Sequence, residues 1–314
     1  MSLPGAGPRP GSPPVRLLSP PVVTAALAVG VTAVSTAAIL IRLADAPAFA
    51  LAFWRCAGGA VALAPFAVQV RRATGMRLDR ARRLQLGAAG IMLALHFGLW
   101  IPSLELTTVA SSVVLVTTAP LFVGIGTAVF LGEPPSRRTC LGMGVAVLGA
   151  AGIAVADAGA VELGPRALLG DAMALGGAVM VAGYLVIGRS ARRRLPLTVY
   201  AAPVYGVAAA LLLALCLVTG TPLGGYTTGT WLAVAGLVIG PQLLGHTVFN
   251  ALLSTLTATA VAVVILAEPV AATAFAWLIL DELPAPAFWV GATLILSGVY
   301  LSVTSSRART TSRA

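Results

Sequence analysis

The stretch VAVVILAEPVAATAFAWLIL, residues 261–280, is an apolar run with a single carboxylate, Glu268, near its centre. A carboxylate in the middle of a membrane-spanning helix costs about 2.5–3.5 kcal/mol on insertion scales. Pro269 follows it, and a proline removes a backbone N–H and crowds the carbonyl of Ile265, so the helix must bend or open here. A charge and an irregular backbone at mid-depth are tolerated where they face a cavity rather than lipid. The stretch therefore predicts a membrane protein with an internal cavity at Glu268.

The composition indicates the same class of protein. Of the 314 residues, 58% are hydrophobic and 10% are charged, and the mean hydropathy is +0.96. Soluble domains carry roughly 25% charged residues. Apolar runs of about 18–25 residues, the length that crosses a bilayer, recur along the chain. We predict an all-α polytopic membrane protein with ten transmembrane helices, at approximately residues 20–41, 47–70, 86–104, 107–131, 138–156, 167–188, 197–218, 231–252, 257–280 and 286–304.

The two ends of the chain and its arginines predict the topology. Residues 1–19 are rich in proline and glycine and are expected to be a disordered tail, followed by a retained helix rather than a cleaved signal peptide. Residues 305–314 form the predicted C-terminal tail. The opposite loops hold only Arg42 and Arg166, and Arg55 lies inside a span. The positive-inside rule therefore places both termini in the cytoplasm of a bacterial cell. The arginines on that side are Arg9, Arg16, Arg71, Arg72, Arg77, Arg80, Arg82, Arg83, Arg137, Arg138, Arg189, Arg192, Arg193, Arg194, Arg307, Arg309 and Arg313.

The chain repeats itself with a shift of 149 residues. The matched pairs are Pro120 with Pro269, Leu131 with Leu280, Glu133 with Glu282, Pro135 with Pro284, Gly142 with Gly291 and Gly149 with Gly298. This predicts two five-helix units, residues 20–156 and 167–304. Because five is odd, the second unit must be inserted upside down relative to the first. Inverted repeats are typical of secondary transporters, whose substrate site lies at mid-depth beside proline-interrupted helices, here spans four and nine.

These residues resemble the drug/metabolite transporter superfamily, in its EamA-like branch. The resemblance covers nearly everything from the first predicted span to the last. It implies a permease for amino acids, sugars, nucleotide derivatives or drugs, often working outward, with Arg42 and Arg55 at recurrent basic positions. Ala182 departs from the pattern, since many members carry tryptophan there. The similar segments are STAAILIRLADAPAFALAFWR (35–55), LGEPPSRRTCLGMGVAVLGAAGI (131–153), GDAMALGGAVMVAGYLVIGR (170–189) and LDELPAPAFWVGATLILSGVYL (280–301).

Two charged residues within spans are the first candidates for the site. Glu268 has Ala119 as its repeat counterpart, so its carboxylate is not part of the duplicated scaffold. We interpret it as a proton-coupling group or a partner for a cationic group of the cargo; the alternative is a structural carboxylate held between helices. Arg55 is predicted to bind an anionic group of the cargo or to pair with Glu268. The alternatives for Arg55 are a purely structural ion pair and snorkelling along Trp54.

Polar residues at helical spacing add further candidates. In span eight, Gln242 directly follows Pro241, and Gln242, His246 and Asn250 are spaced by four residues, so the three are predicted to share one helix face. That face is predicted to line the cavity or to form interhelical hydrogen bonds. His96 and Trp100 have the same spacing in span three, where cavity lining and core packing are both open. Tyr184 and Tyr205 are two more polar positions within spans.

Other repeated residues are interpreted as structural. Glu133 and Glu282 are expected to cap the helix that follows each proline-containing turn. Four glycines spaced by seven residues predict close packing of spans five and ten or a homodimer seam. These are Gly142, Gly149, Gly291 and Gly298.

The motifs that the sequence lacks narrow the function. It has no Walker-type phosphate loop, no HExxH motif and no Cys/His cluster, so we expect no ATP motor, no metal or other cofactor and no enzyme activity. We expect no nucleic-acid partner either, because the arginines lie in loops beside lipid headgroups.

The sequence predicts a secondary-active transporter, and export is favoured. Its cargo is expected to be an amino acid, another small organic metabolite or a drug-like solute, moved by alternating access and coupled to protons through Glu268. Spans one, two, three, six, seven and eight are expected to line the cavity. The alternatives are an uncoupled facilitator in which Glu268 only braces helices and, more remotely, a membrane-bound enzyme or sensor.

Overall fold

The computed structural model describes residues 19–107, 109–157, 164–280 and 286–311, which form helices and connecting segments without a β-strand. The predicted tail at residues 1–18 and the predicted cap Glu282 lie outside these residues. The first part of the chain contains α1 (Pro20–Ser35), α2 (Ala37–Leu43), α3 (Ala48–Thr74), α4 (Arg80–Leu106), α5 (Val109–Val116), α6 (Ala119–Leu131) and α7 (Arg137–Asp157).

The second part of the chain begins at α8 and contains one π-helical segment, which we call π1. Its elements are α8 (Pro165–Arg192), α9 (Leu197–Val218), α10 (Thr228–Leu237), π1 (Val238–His246), α11 (Thr247–Leu252), α12 (Ala258–Ile265), α13 (Glu268–Leu280) and α14 (Pro286–Thr311). Eight stretches of the described residues are long and apolar enough to cross a bilayer, and Phe288–Ser302 is a shorter apolar helix.

Several helices extend beyond the apolar runs from which the spans were predicted. The side chain of Asp79 accepts a hydrogen bond from the Arg82 backbone N–H at 2.8 Å, so α4 begins before the apolar run that starts near residue 86. Gly75 ends α3 in the left-handed conformation, with φ of 62°, which glycine adopts without steric cost. Helix α14 continues to Thr311, into the predicted C-terminal tail. Caps rather than hydropathy set these boundaries.

Two spans are interrupted at corresponding places, each next to one of the predicted prolines. The bounds of α5 and α6 recur in α12 and α13 after a shift of 149 residues: Val109 with Ala258, Val116 with Ile265, Ala119 with Glu268 and Leu131 with Leu280. The breaks are the two-residue turns at 117–118 and 266–267, directly before Ala119–Pro120 and Glu268–Pro269. Two further irregularities were not predicted: a break at Thr36 between α1 and α2, and π1, which contains Pro241.

The most extensive packing joins α7 to α14, α4 to α8 and α3 to α9. The repeated glycines lie at the first of these contacts. A Cβ atom at Gly149 would lie 2.7 Å from the Gly291 carbonyl oxygen, and Gly142 packs equally closely against Gly298. Of the two predicted roles, the structure has close helix packing within the chain. Lacking Cβ atoms, they let the two backbones approach closely.

Candidate functional site

A cavity of about 70 Å³ lies beside the breaks in the helices. Most of its wall is apolar, as in small-molecule sites generally. The polar and aromatic side chains on the wall come from both halves of the chain: Arg55, His96, Trp100, Thr117, His246, Phe249 and Glu268. The cavity wall also includes Pro241 of π1, Leu266 of the second break and Pro120, which follows the first break.

Arg55 is the most deeply buried charged residue of the cavity wall, with 1% of its surface exposed. Its Nε donates a hydrogen bond to Gln242 Oε1 at 3.1 Å, and its Cζ lies 4.0 Å from the centroid of the Phe97 ring. The amide and the ring face stabilise the cation and fix the plane of the guanidinium. Its Nη1 has no hydrogen-bond partner in the part of the chain that the structure describes.

Glu268 lines the same cavity at the first position of α13, where a carboxylate is favoured by the helix dipole. Its backbone carbonyl accepts a hydrogen bond from Ser35 Oγ at 3.2 Å, which connects α13 to α1. Among the described residues, the Glu268 carboxylate has neither a hydrogen bond nor an ion pair with Arg55. The two opposite charges therefore face one cavity without being paired to each other.

The histidines and aromatic residues form one side of the cavity. His96 Nδ1 lies 2.9 Å from the Gly177 carbonyl oxygen; a carbonyl only accepts, so Nδ1 carries the hydrogen. The His96 ring stacks on Trp100, with centroids 5.8 Å apart and planes 4° from parallel. His246 approaches from π1, its ring 6.4 Å from that of His96 and edge-on to Phe97 at 5.3 Å.

A second group of polar residues lies behind the wall and does not line the cavity. Asn250 Nδ2 donates to the hydroxyl oxygens of Tyr184 and Tyr205, the latter at 3.2 Å. Tyr205 is hydrogen-bonded to Thr247 Oγ1 at 3.0 Å, and Thr247 donates to the Gln242 carbonyl at 3.0 Å. These buried hydrogen bonds connect α8, α9, π1 and α11, so they hold the segment that carries His246 in place.

A sequence model of the EamA-like transporter family matches residues 20–155 and 168–304. The chain belongs to the EamA-like transporter family. A solved structure titled "Crystal structure of protein" matches with a TM-score of 0.75 and 22% sequence identity, covering 92% of this chain and 99% of that one. At that identity the match supports the fold alone. A search of curated proteins finds no match.

This EamA-like transporter is a multi-pass membrane protein of a family that moves small solutes. The described residues contain no group of three or more His, Cys, Asp or Glu side chains that could hold a metal ion. The cavity instead offers a guanidinium, a carboxylate and aromatic surfaces to a small organic molecule.

The structure corrects two predictions about the wall. Gln242 and Asn250 were expected either to share a cavity-lining face with His246 or to form interhelical hydrogen bonds; the structure has the second, and of the three only His246 lies on the wall. The cavity-lining interpretation assumed α-helical geometry. Because π1 has more residues per turn, residues spaced by four no longer lie on a single face of the segment. Span seven was expected to line the cavity as well. Its helix α9 contributes Tyr205 to the buried hydrogen bonds but contributes no residue to the wall.

Several residues of the site were not among the candidates predicted from the sequence. The broken spans four and nine supply a large part of the wall, including Val116, Thr117 and Ala262. Phe97 supports the Arg55 cation, and Thr247 joins the buried hydrogen bonds. Phe97 is an ordinary apolar residue in an apolar span, so nothing in the sequence marked it. The threonine in the break could have been found, because the break itself was predicted.

Glu133 is structural, as expected, but it does not cap the next helix. The cap of α7 is Ser136, whose Oγ accepts a hydrogen bond from the Thr139 backbone N–H at 3.0 Å. Glu133 instead forms ion pairs with Arg189, at 3.3 Å, and with Arg193. It thereby joins the end of α6 to the end of α8.

Proposed function

We propose that this protein is a secondary-active exporter of a small organic metabolite in the bacterial cell membrane. In this proposal ten transmembrane helices form two inverted five-helix units, and both termini are cytoplasmic. Arg55 holds an anionic group of the cargo, and Glu268 takes up and releases a proton as the cavity opens to alternate sides. His96, His246 and Trp100 line the cavity, while Gln242 and Asn250 hold its wall in place.

The observation that carries the proposal is a pair of opposite charges that line one cavity without a hydrogen bond or ion pair between them. Arg55 comes from the first unit and Glu268 from the second, and both line the wall. Unpaired ionisable groups at mid-depth in a bundle are costly and are typical of substrate or ion pathways. A structural brace would be expected to hold its partner, and the Glu268 carboxylate has none among the described side chains.

The contacts between helices support two related units. Helices α3 and α9 correspond in the 149-residue repeat and pack against each other, as do α7 and α14. The contact of α4 with α8 has a reciprocal contact of α1 with π1, in which each element is replaced by its repeat counterpart. Reciprocal pairing of this kind is expected when two similar units are related by a two-fold axis. The axis in inverted repeats lies in the membrane plane.

The test separates proton coupling from transport itself. A ligand is first identified by a thermal-shift screen against amino acids, polyamines, sugars and nucleosides. Proteoliposomes containing Glu268→Gln are then assayed for counterflow of that ligand and for its accumulation driven by a pH gradient. We expect counterflow within about twofold of the wild type and loss of pH-driven accumulation, because one proton is worth about 1.4 kcal/mol per pH unit.

The matched control is Glu105→Gln, which removes an exposed carboxylate of α4 that is absent from the central cavity wall. It should leave both activities unchanged. Retained pH-driven accumulation in Glu268→Gln would remove the coupling role and favour the uncoupled facilitator, in which Glu268 is structural. Absence of both counterflow and net transport in the wild type, for every ligand that stabilises it, would contradict the transport function and favour a membrane-bound enzyme or sensor.

A further inference from the structure

Two hydrogen-bond donors on residues of the cavity wall lack a partner in the described part of the chain. Six buried side-chain atoms in the described residues lack a hydrogen-bond partner, and two of them belong to residues of the wall. Both are N–H groups: Arg55 Nη1 and Trp100 Nε1. A third, Gln242 Nε2, lies directly behind the wall on the side chain that holds Arg55. A buried donor without an acceptor is costly, so the unpartnered donors on the two wall residues point to an acceptor supplied from outside the protein.

The two wall donors are fixed in orientation by their neighbours. The Nε side of the Arg55 guanidinium is occupied by Gln242 and one face lies against Phe97, while Nη1 is buried without a partner among the described residues. The Trp100 indole is stacked on His96, and His96 is itself held by the Gly177 carbonyl. Neither donor can turn away without breaking these contacts. Donors held in this way select for the geometry and charge of what they bind.

We propose that the cargo carries an oxyanion, a carboxylate, sulfonate or phosphate monoester, that accepts hydrogen bonds from Arg55 Nη1 and Trp100 Nε1 together. The inference rests on the proposed transport function and adds to it the class of acceptor and a specificity role for Trp100. Arg55 supplies the opposite charge, and Trp100 supplies a neutral donor to a second oxygen. An amine of the same shape would leave both donors unpaired. Sites built to pair a polar group reject analogues that lack it strongly.

The cavity must widen to take such a cargo, since about 70 Å³ is smaller than most organic solutes. The breaks at 117–118 and 266–267 adjoin the cavity, and Thr117 and Leu266 are part of its wall. Movement of the half-helices at these breaks would enlarge the space next to Arg55 and Trp100 without disturbing the contacts that orient them.

The experiment uses two sets of probes, each made of an amino acid, the acid that lacks its amino group and the amine that lacks its carboxylate. One set is alanine, propanoate and ethylamine; the other is leucine, 4-methylpentanoate and 3-methylbutylamine. Binding to the purified full-length protein is measured by thermal shift and by titration. We expect at least one carboxylate of a set to bind and its matched amine to bind at least a hundredfold more weakly. Equal or tighter binding of the amines, or binding of none of the carboxylates, would overturn the proposal.

The role of Trp100 is tested with Trp100→Phe, which keeps an aromatic ring beside His96 and removes the N–H group. The dissociation constant of the carboxylate should rise at least tenfold. The matched control is Tyr200→Phe, which removes another buried and unpartnered polar group, but one that is not on the cavity wall; it should change binding less than twofold. Unchanged affinity in Trp100→Phe would overturn the role of Trp100. The comparison of the probe sets in the wild type remains decisive if that variant does not fold.

The inference and the proposed function can fail separately. Tight binding and pH-driven transport of the amines alone would overturn the oxyanion and leave the coupled transporter intact. Carboxylate binding that depends on Trp100, together with normal pH-driven transport in Glu268→Gln, would support the oxyanion and remove the coupling role of Glu268.

Discussion

A methyl group added at Gly149 should destabilise the protein relative to the same change five residues earlier on the same helix. A Cβ atom at Gly149 would lie 2.7 Å from the Gly291 carbonyl oxygen, 2.8 Å from Leu294 Cβ and 2.9 Å from the Ile295 backbone nitrogen. Two of these three atoms belong to the backbone of α14 and cannot rotate away. A Cβ atom at Gly144 would have no neighbour within 4 Å among the residues that the structure describes.

The magnitude follows from the contrast between the two sites. Replacing a helical glycine by alanine gains about 0.8–1 kcal/mol of helix propensity, and this gain is common to both positions. Ordinary carbon–oxygen contacts are about 3.3–3.6 Å, so α7 and α14 must separate by roughly 0.6–0.9 Å to admit the methyl group at Gly149. Overpacking of this kind costs about 1–3 kcal/mol. Gly149→Ala should therefore be about 1–3 kcal/mol less stable than Gly144→Ala.

The assay is thermal unfolding of both variants and the wild type, purified in the same detergent. Gly144→Ala should unfold at or above the wild-type temperature, and Gly149→Ala should unfold at least about 2 °C below Gly144→Ala. Gly152→Ala is a second control on α7, since a Cβ atom there would also have no described neighbour within 4 Å. Equal unfolding temperatures for all three variants would refute the close approach of α7 and α14.

Two further changes test the surroundings of the cavity. Gly59→Ala would place a Cβ atom 2.8 Å from Gln242 Cγ and should displace that side chain, so the affinity for cargo, measured by titration, should fall about tenfold. The control is Gly206→Ala, whose Cβ atom would have no neighbour within 4 Å in the described part of the chain and which should leave binding unchanged. Glu133→Gln should weaken the ion pair with Arg189 and so raise the rate of amide hydrogen exchange in the last turn of α8. The free energy of unfolding should fall by at most about 1 kcal/mol, because the pair is partly exposed. Unaltered exchange in that turn would contradict the proposed connection between α6 and α8.

The sequence was informative where backbone chemistry dictates structure. A proline inside a long apolar run must break or bend the helix, so the interruptions beside Pro120 and Pro269 could be foreseen. The repeat could be foreseen too, because the prolines and glycines recur at the same spacing in both units even where the apolar residues between them differ. The same reasoning placed Glu268 and Arg55 on one cavity wall, since charges within a bundle face away from lipid.

The positions of side chains relative to the wall could not be read from the sequence. Hydropathy does not distinguish a residue that faces lipid from one that faces a neighbouring helix, so Phe97 gave no signal. The spacing of Gln242, His246 and Asn250 by four predicts a shared face only if the segment has about 3.6 residues per turn. Segment π1 has more residues per turn, so the predicted shared face is absent. The break at Thr36 has no proline to mark it.

The breaks preserve backbone hydrogen bonding, and this explains how a mid-depth interruption can be tolerated. At the second break the Leu266 N–H donates to the Val263 carbonyl at 3.1 Å and the Ala267 N–H to the Val264 carbonyl at 3.0 Å. These tighter i to i−3 bonds close the last turn of α12, and Ser35 Oγ supplies a further donor to the carbonyl of Glu268. Each half-helix is thus complete on its own. A change of angle at the break would exchange few hydrogen bonds, and in the proposed mechanism α13 moves with Glu268 relative to Arg55, which is held in α3. Alternating access requires such a movement next to the cargo. Because Glu268 directly follows the break, the movement would change the surroundings of its carboxylate.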